Sequence, residues 1–260
     1  DEGGRQGLAR GWHVVAAAKT GTGKSVLALN IAHKAMRMGE RVCFLSLEMD
    51  QPQLETRMMA IVAEQPVAQL EQGRNFDRDV FRAAAAELDE IFRNSGGLFY
   101  SNRQPIHTLS AVLESMRYNH EVHGCRFFVL DYMQLAGNPN DPESITEVSH
   151  AVRQLTQELR VITVALSQFN RATSNSKERP TCQGLMGGSA LENDADQVVL
   201  IDHSRMQAAP PPISGWDAWL ILDKNRHGPL TEIPFRFDRT TLRMRELMVD
   251  EAPAADRSVA

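Results

Sequence analysis

The sequence predicts an α/β fold: a mainly parallel sheet with helices on both faces, closed by a C-terminal antiparallel β extension. Three observations predict it. Short apolar runs of strand type alternate with stretches of helical period through most of the chain. The first such run, Val14-Val15-Ala16-Ala17, feeds a glycine-containing loop that opens directly into a helix. The last two strand-type runs, Trp216–Leu222 and Glu232–Phe237, are joined by a turn at Gly228-Pro229 with no helix between them. The 260 residues, 42% hydrophobic and 23% charged, suit a soluble globular chain. There is no internal repeat and no sign of a second core. Residues 1–11 read as a linker or disordered N-terminal end, 12–247 as the folded domain, and 248–260 as a disordered tail. A first residue of Asp reads as that of a fragment or processed product.

The elements follow in order. A strand at about 12–17 leads into a helix at about 24–38, with Leu27, Ile31, Ala35 and Met38 on one face and Gly39 as its C-terminal cap. A buried strand at 41–47 ends at Glu48. Pro52 starts a helix at about 51–64, and Pro66 interrupts it. A helix at about 77–93 carries Val80, Phe81, Ala84, Leu88, Ile91 and Phe92 as core positions. A short strand is expected at 98–100 and a helix at about 109–121. Strands at 126–131 and 161–168 flank a helix at about 144–159. Residues 170–188 show little periodicity and read as a long functional loop. A further strand covers about 197–201, and 208–215 is a proline-rich excursion.

The loop Ala18-Lys19-Thr20-Gly21-Thr22-Gly23-Lys24-Ser25, with Val26 opening the helix, has the form of a phosphate-binding P-loop. Ala18 stands where the pattern's first glycine is usual. Its backbone N–H groups converge on phosphate oxygens, and the helix N-terminus adds partial positive charge. Lys24 reaches the β and γ phosphates of ATP, and the Ser25 hydroxyl ligates Mg2+. Asp131, where an apolar strand ends, is the candidate second magnesium residue, opposite Ser25. Glu48, at another strand tip, is a candidate for polarising the attacking water; a solvated strand-end Glu is the plain alternative. Gln168 ends a third strand and suits an amide that senses the γ-phosphate.

The net charge of −5 argues against a broad basic surface for nucleic acid. The most plausible contact is local: Arg171, Lys177 and Arg179 against the single acid Glu178 in the 170–188 segment, with a solvated loop as the alternative. The three cysteines and eight histidines show no metal spacing. No signal peptide or membrane-length apolar run is visible, and a cytoplasmic protein with no membrane partner is expected.

Several stretches together resemble the RecA-like motor domain of DnaB-type replicative DNA helicases. They are the P-loop, Phe44-Leu45-Ser46-Leu47-Glu48-Met49, Val129–Leu135, Glu158-Leu159, Val164–Arg171, Leu191–Asp196 and Lys224-Asn225-Arg226-His227-Gly228-Pro229. The resemblance covers about residues 8–245. It implies a RecA-like P-loop ATPase, with Glu48 as the catalytic carboxylate, Asp131 as the Walker B acid and Gln168 as the coupling amide. It implies that Lys224 and Arg226 reach into the adjacent subunit's nucleotide site, Arg226 as an arginine finger. Arg205 would lie near the adenine. Gly187, Gly188 and Ser189 would offer backbone N–H groups to DNA phosphates. It also implies a homo-oligomer, a hexamer in this family, around single-stranded DNA, with a primase or helicase loader as further partner.

This chain departs from the family pattern in two ways. The stretch Leu185-Met186-Gly187-Gly188-Ser189 lacks the usual Arg-Glu pair, and the loop at 137–143 carries Asp141 and Glu143 but no cation. The leading expectation is an ATP-driven, ring-forming helicase motor. The alternative is a related ATPase acting as a loader, recombination mediator or nucleotide-dependent switch.

Overall fold

The computed structural model describes residues 7–95, 108–138, 141–176, 178–202 and 216–247. The elements run β1 (His13–Ala18), α1 (Lys24–Arg37), β2 (Val42–Ser46), α2 (Gln51–Ala63), α3 (Val67–Glu71), α4 (Arg78–Ser95), α5 (Leu109–His123), β3 (Phe127–Asp131), α6 (Pro142–Glu158), β4 (Ile162–Gln168), α7 (Arg171–Asn175), α8 (Gly188–Asp194), β5 (Gln197–Asp202), β6 (Trp216–Asn225), β7 (Thr231–Phe237) and β8 (Met244–Glu246). One eight-stranded sheet has the order β2-β3-β4-β1-β5-β6-β7-β8. Pairing from β2 through β5 is parallel, and from β5 through β8 antiparallel. This is the expected architecture.

Burial on both faces explains the nearly continuous apolar strands. Val14, Ala16 and Ala18 of β1 face a core shared with α1, α2 and α4. Val15 and Ala17 face the opposite core, with α5, α6 and α8. The period of two along one strand thus separates two helical layers. The helix ends carry local signals. Asp50 and Gln53 form a reciprocal capping box at α2, and Thr108 and Asp141 cap α5 and α6. Gly39 adopts φ 85° after α1, where Gly39 N–H donates to Met36 O at 2.9 Å and Glu40 N–H to Ala35 O at 3.1 Å.

Several expectations need correction. Residues 170–188 are not a bare loop: they contain α7, a 3-10 turn at Cys182–Gly184 and a bridge between Phe169 and Leu185. The short elements α3, α8 and β8 were not expected. Each is too short for a period to show, and each is held by tertiary contacts. In α4, Ala84, Leu88 and Ile91 are buried, but Val80 is 41% exposed. The expected strand at 98–100, the excursion at 208–215 and the tail from 248 lie outside the described residues, as do Lys177 and Arg205.

Candidate nucleotide-binding site

The site is built where parallel strands end. In a sheet of this topology, ligands bind in the crevice beyond the carboxyl ends of the strands. β1 delivers the P-loop there, and its neighbour β4 delivers Gln168, which lies directly opposite Ala18. β3 delivers Asp131, opposite Ser46 of β2. Glu48 follows β2 and is exposed.

Gly21 and Gly23 take φ of 76° and 94°. Within the loop, Thr22 N–H and Oγ1 both donate to Lys19 O, at 3.3 and 2.6 Å. Gly23 is the N-cap of α1, so no N-cap side chain competes for the amides of Lys24, Ser25 and Val26. A Cβ at Gly23 would lie 2.9 Å from Phe237 Cε1, so β7 closes against the back of the loop and only glycine fits. The Lys19 ammonium donates to Ser176 O at the end of α7.

The charges are tightly grouped. Burial lowers the pKa of Lys24, and the Asp131 and Glu48 carboxylates oppose that shift. Its ammonium sits 4.5 Å from the centroid of the Tyr132 ring. Asp131 is fully buried, and neither carboxylate oxygen has a hydrogen-bond partner. Burial raises its pKa, while the nearby Ser25 hydroxyl and Lys24 ammonium lower it. Burial also raises the pKa of Tyr132; Glu48 adds to this, and the Gln168 side chain pulls it back. One cleft therefore holds Lys24, Ser25, Glu48, Asp131, Tyr132 and Gln168.

An orphaned buried carboxylate beside a hydroxyl fits a magnesium ion that takes one or two protein oxygens and completes its shell with phosphate and water. Among the described residues no three-residue cluster of His, Cys, Asp or Glu that could hold a metal ion exists.

A second charged group lies at the other end of the sheet. Lys224 Nζ donates to Glu192 O, and an Arg226 guanidinium N–H donates to Asn193 O, so both cations meet the C-terminal carbonyls of α8. Arg226 N–H donates to Asp196 O at 2.9 Å, and Asp196 N–H to His13 O at 2.8 Å. Arg226 is thus anchored at the start of β1, about 17 Å from the P-loop end at the usual rise per strand residue.

The other expected contacts divide. Arg171 opens α7 and is exposed. Arg179 is engaged within the fold, 3.3 Å from Asp223 and 3.2 Å from Glu232. Gly187, Gly188 and Ser189 form the start of α8, near Gln168, whose carbonyl accepts Met186 N–H at 2.9 Å. Nothing in the sequence signals the contact of Tyr132 with Lys24. Asp196 fell inside a stretch matched by the resemblance, but nothing there disclosed its contacts.

The fold is that of RecA-like domains. A solved ATPase domain superposes with a TM-score of 0.80 at 22% identity, covering 93% of this chain and 87% of that one. A solved DnaB-like replicative helicase, described with its interactions with primase, gives 0.79 at 21%, covering 92% and 58%. The family described as DnaB-like helicase C terminal domain matches residues 3–246, and the chain belongs to it. Among curated proteins it is 31% identical to a probable plasmid replicative DNA helicase of Chlamydia psittaci, over 90% of this chain and 51% of that protein. It is 30% identical to the replicative DNA helicase DnaB of Leifsonia xyli, over 89% and 51%. The chain therefore spans about half the length of these relatives. Among the described residues no helix is long and apolar enough to cross a membrane.

Proposed function

We propose that the chain is the motor part of a ring-forming DNA helicase, hydrolysing ATP between subunits and moving on single-stranded DNA. One observation carries this reading. The cleft holding the P-loop, Glu48, Asp131 and Gln168 lies at one end of β1, and the two cations suited to a developing phosphate charge are fixed at the other. A side chain anchored about 17 Å away cannot serve its own subunit's nucleotide. In a head-to-tail ring it serves the next one.

In this reading the amides of residues 18–26 hold the phosphates and Lys24 neutralises the β and γ oxygens. Ser25 and Asp131 would hold magnesium, which supplies further charge neutralisation when bound. Glu48 orients the water that attacks the γ-phosphorus and accepts its proton as the bond to ADP breaks. Lys224 and Arg226 of the adjacent subunit stabilise the transferring group, a role typically worth about 10³–10⁵ in rate. Gln168 links the γ-phosphate to the segment carrying Arg171, Lys177 and Gly187–Ser189, which grips DNA phosphates. Arg205 is assigned to the adenine on the family pattern alone. A hexamer, and a loader or primase as further partners, follow from the same likeness.

The test is ATP hydrolysis with and without single-stranded DNA across protein concentration, with assembly followed by light scattering. Specific turnover that rises with assembly and with DNA is expected. Arg226→Ala is expected to keep nucleotide binding and lose turnover; wild-type turnover in that variant rules out the finger. A second reading, an ATPase that loads or switches without unwinding, is favoured by one observation: Arg179 is already held by Asp223 and Glu232. Assembly with turnover indifferent to DNA selects it.

A further inference from the structure

The cluster around Arg226 has a centre. Asp196 is 5% exposed and lies between α8 and β5. Its Oδ2 accepts His13 N–H at 2.9 Å, and its main chain is tied to His13 O and to Arg226 N–H. The residue is therefore fixed at three points, one of them on the carboxylate, before any side-chain cation reaches it. Its Oδ1 then faces three groups: Arg153 at 3.7 Å, Arg226 at 3.9 Å and His227 at 3.8 Å. Arg153 also donates to Asp194 O, and Ser149 Oγ donates to Asp194 Oδ2 at 2.9 Å, so α6 clamps the end of α8 in the same place. His227 is held by stacking on Trp12, with ring centroids 4.3 Å apart.

We propose that Asp196 is the positioning residue of Arg226: its carboxylate aims the guanidinium toward the end of α8, where Asn193 O accepts from it, without neutralising it. The proposal rests on the trans-finger reading given above. Arg226 is 39% exposed and sits beyond the last residue of β6, where a long side chain has many rotamers. One negative charge shared between Arg153 and Arg226 restrains the finger yet leaves net positive charge to offer a phosphoryl group. A private one-to-one ion pair would cancel that charge. A separate bond from the guanidinium to Asn193 O ties the finger to α8, which begins two residues after Met186, whose N–H donates to Gln168 O. The helix thus spans from the γ-phosphate sensor of one site to the finger of the next.

The test uses mixed assemblies, because a finger and a site on different subunits can be changed separately. Lys24→Ala subunits supply fingers and Arg226→Ala subunits supply nucleotide sites; their mixture is expected to recover turnover that neither has alone. Asp196→Asn in the finger-supplying subunit is expected to cut that recovery on the order of 10–100-fold, as misplacement of about 1 Å does. The KM for ATP should hold within about twofold, since ground-state binding is untouched. The same substitution in the site-supplying subunit is expected to leave recovery intact. Equal losses in both positions would assign Asp196 to the fold alone and overturn the proposal, as would no loss in the finger donor. If Asp196→Asn does not fold, Asp196→Glu, which keeps the charge and displaces it, should show the same asymmetry with a smaller loss. Failure of the unsubstituted pair to recover, with assembly intact by light scattering, removes the trans finger itself and this proposal with it.

Discussion

Asp131→Asn should make the protein more stable and less able to bind its nucleotide. Asp131 is buried with both oxygens unpartnered, and burial raises its pKa above the usual carboxylate value despite Ser25 and Lys24. A carboxyl whose folded pKa is raised binds a proton more readily in the folded state than in the unfolded one. Its ionisation therefore costs stability at neutral pH, and that cost fades as pH falls from the raised folded value toward the unfolded value near 4. An asparagine mimics the neutral form at every pH. The substitution removes the desolvation cost of the charge, and each kcal/mol so recovered shifts the melting point by about 2–4 °C in a domain approaching this size. Thermal melts without nucleotide should thus place Asp131→Asn a few degrees above wild type at pH 8, with the gap closing toward pH 4.5. Adding magnesium and ATP should stabilise wild type and do little for the variant. A variant that melts below wild type at pH 8 without nucleotide would refute the reasoning, because Asp131 would then be a structural partner and not a strained ligand.

Three further outcomes follow from the same contacts. Arg171→Glu should weaken binding to single-stranded DNA and lower the slope of log affinity against log salt by about one. Arg179→Ala should leave that slope unchanged, because Asp223 and Glu232 already hold its charge; anisotropy titrations at several salt concentrations read both. His13 is fully buried with neither ring nitrogen partnered, and burial lowers its pKa to about 4. Its folded pKa is depressed, so stability is lost as pH falls from about 6.5 toward 4, on the order of 3 kcal/mol in all. His13→Leu should flatten that part of the melting-point profile; an unchanged profile would show that His13 is not the group titrating.

What the sequence disclosed follows a physical line. The P-loop could be read because its chemistry is contiguous: eight residues, a strand before and a helix after. Asp131 and Gln168 could be read because a buried strand run stops where a polar residue begins, and the parallel sheet brings such stops to one edge. Tyr132 could not, because its ring meets Lys24 only once β1 and β3 are both in the sheet. The ion pairs of Arg179 are not legible, because its partners lie 44 and 53 residues away in sequence. The helices α7 and α8 were missed because five and seven residues are too few for a period to emerge. Their ends are set by the bridge between Phe169 and Leu185 and by the cations on the carbonyls of Glu192, Asn193 and Asp194.

The acidic balance of the chain, −5 overall, bears on how a motor of this kind would hold DNA. Among the described residues of α7 and its surroundings, Lys19 donates to Ser176 O and Arg179 is paired, while Arg171 is exposed on α7. Affinity for a phosphate backbone grows with the number of phosphates neutralised, so a single subunit's grip is weak. Under the proposed function, that weakness is consistent with movement. Tight binding by every subunit would hold the strand in place, whereas weak grips joined in a closed ring add through effective concentration and can be released one at a time. Under the same proposal, control of release passes to α8 and the residues just before it, because Met186 N–H donates to Gln168 O and Asn193 O at the other end accepts from Arg226.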